Sequence, residues 1–175
     1  MQSYFMTSAP FREGPVAFLL TQIGSHAAKK FAERLESLKL TPPHAGILRI
    51  LNQSASRSQR ELASMLGIHA SRLVAIVDEM ESLGLIAREA NTDDRRIYAL
   101  HITEKGREAF AQIGKVGREH NAALCASLSL EERQQLAQLL QRIANEQGLV
   151  PGIHPGYSQL GKSAKPAEEP SGNDA

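Results

Sequence analysis

Cysteine, tryptophan and excess charge are all scarce in this chain, and each scarcity removes a class of function. Cys125 is the single cysteine among 175 residues, which excludes an intramolecular disulfide framework and any multi-thiolate metal site within one chain. Aromatics make up only 5% and tryptophan is absent, whereas Ala, Leu, Glu, Gln and Arg are plentiful, so helix is favoured. At a formal net charge of +1 there is no global pull toward nucleic acid or membrane, and any charged footprint has to be local. The sequence has no run of about 18 apolar residues, and "MQSYFMTSAPFREG" lacks a basic stretch followed by an apolar core. A soluble, cytoplasmic protein with neither membrane span nor secretory signal is expected. With 42% hydrophobic residues at this length, the chain can build one domain, or one domain and a tail.

What is present is helical periodicity. Val16, Leu19, Leu20, Ile23, Ala27, Phe31, Leu35 and Leu38 recur at three- and four-residue steps, predicting an amphipathic helix over about 15–40. Thr41 and Pro42 supply an N-cap and a preset first turn for a short, mostly buried helix carrying Ile47, Leu48, Ile50 and Leu51. Ser58 with Glu61 is a capping box that opens a third helix, its Leu62, Ala63 and Leu66 facing inward and Gly67 ending it. Leu73, Ile76, Val77, Met80 and Leu83 mark a fourth helix stopped by Gly84. Two short helices broken at one glycine make the helix-turn-helix pattern. "LIAREA" and "RIYALHIT" read as two strands joined by "NTDDR", with Tyr98, Leu100 and Ile102 on one face. Thr103 caps a long helix running to about Leu128, in which Gly114 and Gly117 predict close packing against another helix. "SLEE" from Ser129 to Glu132 opens a last helix with Leu136, Leu139, Leu140 and Ile143 inside. From Gly148 onward glycine and proline recur without hydrophobic periodicity, so 148–175 is expected to be a disordered tail.

The predicted fold is therefore mainly α with a small β-hairpin wing. A winged helix-turn-helix lobe (about 41–103) is flanked by N- and C-terminal dimerisation helices (about 15–40 and 104–146), and the domain as a whole covers 1–147. The outer helices carry more apolar surface than so small a lobe can cover, so a two-fold homodimer is expected. "ELASMLGIHASRLVAIVDEMESLGLIAREANTDDRRIYALHITEKG" closely resembles the MarR (multiple antibiotic resistance regulator) family of bacterial transcription factors. The matching pieces are "LAxxLG", "VDxMExxGLIxR", "DRR" and "LHITEKG", in order and at the right spacing, and the resemblance runs from about Val16 to Ile143. It implies a homodimer whose fourth helix enters the major groove of double-stranded DNA and whose wing reaches the neighbouring minor groove. It also implies a repressor of a pseudo-palindromic operator, relieved by a small-molecule effector.

The residues agree with that implication. The first turn of the fourth helix holds His69, Ala70, Ser71 and Arg72, while Asp78, Glu79 and Glu81 come later, so the donor-rich, positive end would meet DNA first. Ser71, Arg72 and His69 are the candidates for base readout. Ser54, Arg57, Ser58, Gln59 and Arg60 cluster at the start of the third helix and suit phosphate contact, and Arg88 on the first wing strand joins this DNA-facing set. By similarity to the family motif, Asp94 orients a wing arginine, with Arg95 favoured for minor-groove insertion and Arg96 for structural pairing. Asn91 and Thr92 stand where the family commonly has Asp-Pro.

His26 and His44 fall near the junction of the first two helices, where the family's effector cleft usually lies. Each can contact an effector or be a buried, hydrogen-bonded histidine, and Arg49 can anchor an anion or pair with a glutamate. His101 and His120 have no carboxylate or cysteine at metal-ligand spacing, and no cofactor is expected. Cys125 reads as a core or interface residue. The N-terminal cysteine of the family's peroxide-sensing branch and the N-terminal tryptophan of its urate-responsive branch are both missing. A winged helix used only for protein contacts is the competing function. An enzyme finds no nucleophile–base pair or phosphate loop here.

Overall fold

The computed structural model describes residues 14–54, 56–90, 98–154 and 157. Helix α1 spans Val16–Leu35, and a 3-10 turn over Glu36–Leu38 follows it. Lys39, in the left-handed region at φ 55°, then redirects the chain, so the first helix stops short of the expected 40. The Thr41 N–H donates to His44 Nδ1 at 3.3 Å, and α2 runs over Pro42–Asn52 with Ile47, Leu48, Ile50 and Leu51 buried as expected. Strand β1 (Arg57–Ser58) leads into α3 (Gln59–Leu66), where Ser58 and Glu61 form the reciprocal capping box. Gly67 at φ 63° and Gly84 at φ 70° end α3 and α4 (Ala70–Ser82) as left-handed C-terminal residues, the conformation glycine adopts without steric cost.

Strands β2 (Ile86–Ala90) and β3 (Tyr98–Ile102) pair antiparallel with Arg88 opposite Leu100, confirming the hairpin. The sheet has a third strand that the sequence did not announce: β1 pairs with the other edge of β3, Arg57 opposite Leu100, giving the order β1-β3-β2. The turn 91–97, with Asn91, Thr92, Asp94, Arg95 and Arg96, lies outside the described residues. Leu48 and Leu51 of α2, Leu62 and Leu66 of α3, Leu73, Val77 and Met80 of α4, and Ile86 and Leu100 of the sheet close one core. Each such side chain contributes roughly 1.5–3 kcal/mol by leaving water.

Helix α5 (Glu104–Leu124) docks its first turn on the corner between α4 and β2. Thr103 Oγ1 donates to the Gly84 carbonyl at 2.7 Å, and its backbone N–H donates to Leu85 O at 3.1 Å. A Cβ on Gly106 would stand 2.0 Å from Leu85 O, so only glycine admits this approach. The close contact expected at Gly114 and Gly117 is not found among the described residues of the chain. A Cβ on Gly117 would meet nothing within 4 Å, and one on Gly114 would meet only Arg118 Nη1 at 3.5 Å.

Helix α6 covers Leu130–Glu146 behind a Ser129–Glu132 capping box. Its Leu136, Leu139, Leu140 and Ile143, expected inside, stay exposed in the single chain and line a groove with Val16, Leu19, Leu20 and Ile23 of α1. Of the segment 148–175, expected to be a disordered tail, residues 148–154 and 157 are described. Ile153 packs against the core and Tyr157 is buried, its hydroxyl donating to the Pro42 carbonyl at 3.0 Å.

Candidate nucleic-acid interface

The loop Gly67–His69 and the start of α4 present His69, Ala70, Ser71 and Arg72 together on the surface, all exposed. His69 is the N-cap, its carbonyl accepting from the Arg72 and Leu73 N–H groups at 3.0 Å each, so the first turn is tied back to it. The His69 ring nitrogen Nδ1 and Ser71 Oγ lie 3.1 Å apart, which fixes the two polar tips relative to one another. No acidic residue occupies the first turn of α4, and the positive end of the helix dipole is unopposed there.

The acids of α4 have partners inside the fold. Arg88, on β2, reaches back to α4 and pairs with Asp78 through Nη2 and with Glu81 through Nη1. Its backbone N–H also donates to Glu81 Oε1 at 3.3 Å. The Gln59 amide oxygen, oriented to satisfy both of its amide atoms, accepts from Arg88 Nε and Nη2 at 3.1 Å. Partial burial works against the guanidinium charge, but hydrogen bonds to Asp78 and Glu81 outweigh it and raise the Arg88 pKa above its ordinary value. Arg88 thus joins α3, α4 and the wing from within, where the sequence had placed it among the DNA-facing residues. The third acid, Glu79, lies 3.4 Å from Nε2 of His44.

Around α3 the candidates divide. Arg60 is exposed. Ser58 is committed to the capping box, its Oγ accepting from the Glu61 N–H at 3.2 Å while Glu61 Oε2 accepts from the Ser58 N–H at 2.8 Å. That backbone hydrogen bond, with help from the Ser58 hydroxyl and Arg57, holds the Glu61 carboxyl below its usual range. Arg57 sits 3.8 Å from Glu61, and Ser54 Oγ donates to the Ile50 carbonyl at 3.0 Å.

The three effector candidates are not brought together. His26 lines a cleft of about 160 Å³ between α1 and α5 with Lys30, Arg34 and His120, and neither His44 nor Arg49 lines it. His120 in that cleft has its pKa lowered by burial and by the nearby Arg34 and His26. His44 is buried beneath the first turn of α2. Arg49 lies on the exposed face of α2 against Gly152. Sequence reasoning missed both this contact and the His44–Glu79 pair, because each joins segments far apart in the chain. Among the described residues, no group of three or more His, Cys, Asp or Glu could hold a metal ion, and no helix is long and apolar enough to cross a membrane.

A helix-turn-helix with an open first turn on its second helix, followed by an antiparallel wing, defines the winged helix-turn-helix class of transcriptional regulators. Comparison with known proteins narrows the class. The MarR family model matches residues 38–97. A proposed transcriptional regulatory protein for the hcr operon of Thauera aromatica is 31% identical over 139 residues, covering 79% of this chain and 84% of its own. The transcriptional repressor CouR, solved bound to a 23-mer DNA duplex, superposes with a TM-score of 0.66 at 30% identity, over 74% of this chain and 92% of that one. A proposed transcriptional regulator from Pseudomonas aeruginosa superposes at 0.62 with 28% identity, over 75% of this chain and 98% of that one. The chain belongs to the MarR family of transcriptional regulators. It is not an enzyme.

Proposed function

We propose that this regulator is a homodimeric, sequence-specific repressor that binds a pseudo-palindromic operator in double-stranded DNA and is released by a small-molecule effector. The observation that carries the DNA half is the start of α4. His69, Ser71 and Arg72 stand exposed together at the positive end of the helix, while Asp78, Glu79 and Glu81 face internal partners. Entering the major groove by this end, Arg72 and Ser71 reach base edges, and Arg60 with the N-terminus of α3 holds phosphate. Asp94, Arg95 and Arg96, which fall between β2 and β3 in the sequence, complete the footprint in the minor groove in this reading. That the similar repressor CouR was solved bound to a 23-mer DNA duplex supports DNA as the partner. The effector half is supported by the α1–α5 cleft, where Arg34 and Lys30 bring positive charge beside the rings of His26 and His120, a lining suited to an anionic group. Such a regulator works in the cytoplasm, where the operator is.

The test is binding of the purified protein to the DNA upstream of its own gene, against an unrelated duplex, over a range of salt. Arg72→Ala should weaken operator binding by about 10- to 100-fold and relax its sequence preference, with the oligomeric state unchanged. Equal affinity of the variant and the parent would remove α4 from the readout.

A further inference from the structure

We propose that residues 148–154 together with Tyr157 form a strap that fixes the DNA-binding lobe against the end of α6 and thereby raises the affinity of the chain for its operator. The inference rests on the DNA-binding reading above and adds a device to it. The strap begins where Gly148, at φ 65°, turns the chain out of α6, and the Leu149 N–H still donates to Ala144 O at 3.0 Å. Leu149, Val150 and Ile153 then line a cavity of about 240 Å³ with Ser64, Met65, Leu66 and Gly67, the end of α3 and the turn of the helix-turn-helix. Further on, Gly152 at φ 76° passes so close to Arg49 that a Cβ there would stand 2.8 Å from the guanidinium carbon. Tyr157 closes the strap on α2, its ring buried and its hydroxyl donating to the Pro42 carbonyl. The His154 ring packs against it with centroids 5.5 Å apart.

Gly46 shows that the two segments fit one another. Glycine inside a helix costs roughly 1 kcal/mol relative to alanine, yet α2 carries one in its middle, and a Cβ there would lie 2.8 Å from Cε2 of the Tyr157 ring. The helix keeps a gap and the tail fills it. The strap is rooted in α6, outside the lobe, and grips α2 and α3 inside it, so it restrains the movement of one against the other. The strap contacts named above fall on α2, α6, the end of α3 and Gly67, so the strap restrains the lobe from there. A protein that must place two recognition helices at a fixed spacing loses less freedom on binding when each lobe is already held.

The experiment compares the full chain with two variants, one ending at Gln147 and one full-length Tyr157→Ala, which protects the conclusion should the shortened chain fold poorly. Operator affinity by fluorescence anisotropy on the upstream DNA and hydrogen exchange of the α2 amides are measured on all three. Affinity should fall about tenfold without the strap and about threefold for Tyr157→Ala, with α2 exchanging faster in both. Affinities within about twofold of the full chain, for a folded Tyr157→Ala and the shortened chain alike, overturn the proposal. Should the full chain itself show no preference for the upstream DNA, the operator reading fails with it. Unchanged exchange in α2 would show, separately from any DNA result, that the strap does not grip.

Discussion

His44 works at both ends of its ring. Nδ1 accepts the Thr41 N–H that opens α2, and Nε2 faces Glu79 on α4 at 3.4 Å, an arrangement that suits the neutral ring with its proton on Nε2. Burial lowers the His44 pKa below the ordinary histidine value, although Glu79 pulls the other way. Protonation would turn Nδ1 from acceptor to donor against another donor. Because the folded state holds the proton less tightly than the unfolded chain, the contribution of His44 is fully present above the unfolded pKa of about 6.5 and is lost as pH falls through that value toward the folded one. Urea unfolding should therefore show lower stability at acid than at neutral pH. His44→Gln, which has an amide to accept and donate in the same places but does not titrate, should flatten part of that slope. An identical pH profile for parent and variant would mean the ring does not titrate with folding. An effector contact by His44 would require the buried ring to give up one of these partners.

At the scale of elements, Arg88 is the residue that ties recognition helix to wing. Asp78 and Glu81 are one helical turn apart on α4, and the guanidinium spans both while Gln59 of α3 holds its edge. Both acids are more than a third exposed, so solvent screens the pairs, and Arg88→Ala should cost about 1 kcal/mol or less in stability. Its effect on DNA should be larger than that of a lost surface contact, because two carboxylates on the recognition helix are then left uncompensated. Lysine cannot bridge both acids, so Arg88→Lys should behave more like alanine than like the parent. An Arg88→Ala variant whose log–log salt slope for operator binding falls by about one phosphate contact would instead return Arg88 to direct phosphate contact.

The elements that the sequence made legible are those whose signals are local. Ser58 with Glu61, Ser129 with Glu132, and Gly67 and Gly84 each bond within a few residues, so their caps can be read in order along the chain. The pattern of exposed donors at the start of α4 was legible for the same reason. Strand β1 was not, since two residues are too few for alternation and its partner Leu100 lies far along the chain. Gly46 and Gly106 carried no readable meaning until Tyr157 and Leu85 were seen against them. Arg88 showed as a basic residue on a wing strand, and only the return of β2 along α4 decides which way it points.

At the scale of the molecule, one feature of the single chain calls for a partner. Val16, Leu19, Leu20 and Ile23 of α1 and Leu136, Leu139, Leu140 and Ile143 of α6 form an apolar groove of about 570 Å³, each side chain more than a third exposed. Helical spacing puts them on facing stripes, with Arg142 and Glu146 of α6 also lining the groove, an apolar centre with a polar margin that suits a covered face. The groove lies outside the DNA-binding lobe, so covering it with the same groove of a second copy leaves both α4 helices open and relates them by a two-fold axis. Leu139→Glu places a charge in the middle of that contact, where desolvating it against leucine is unfavourable. Sedimentation of the parent should give a dimer, and that of Leu139→Glu a monomer at micromolar concentration with its helical content retained. Operator affinity should then fall by more than the Arg72→Ala variant loses, because the second half-site no longer arrives on the same molecule. A Leu139→Glu protein that sediments as the parent does and binds the operator equally well would place the two-fold contact on another face.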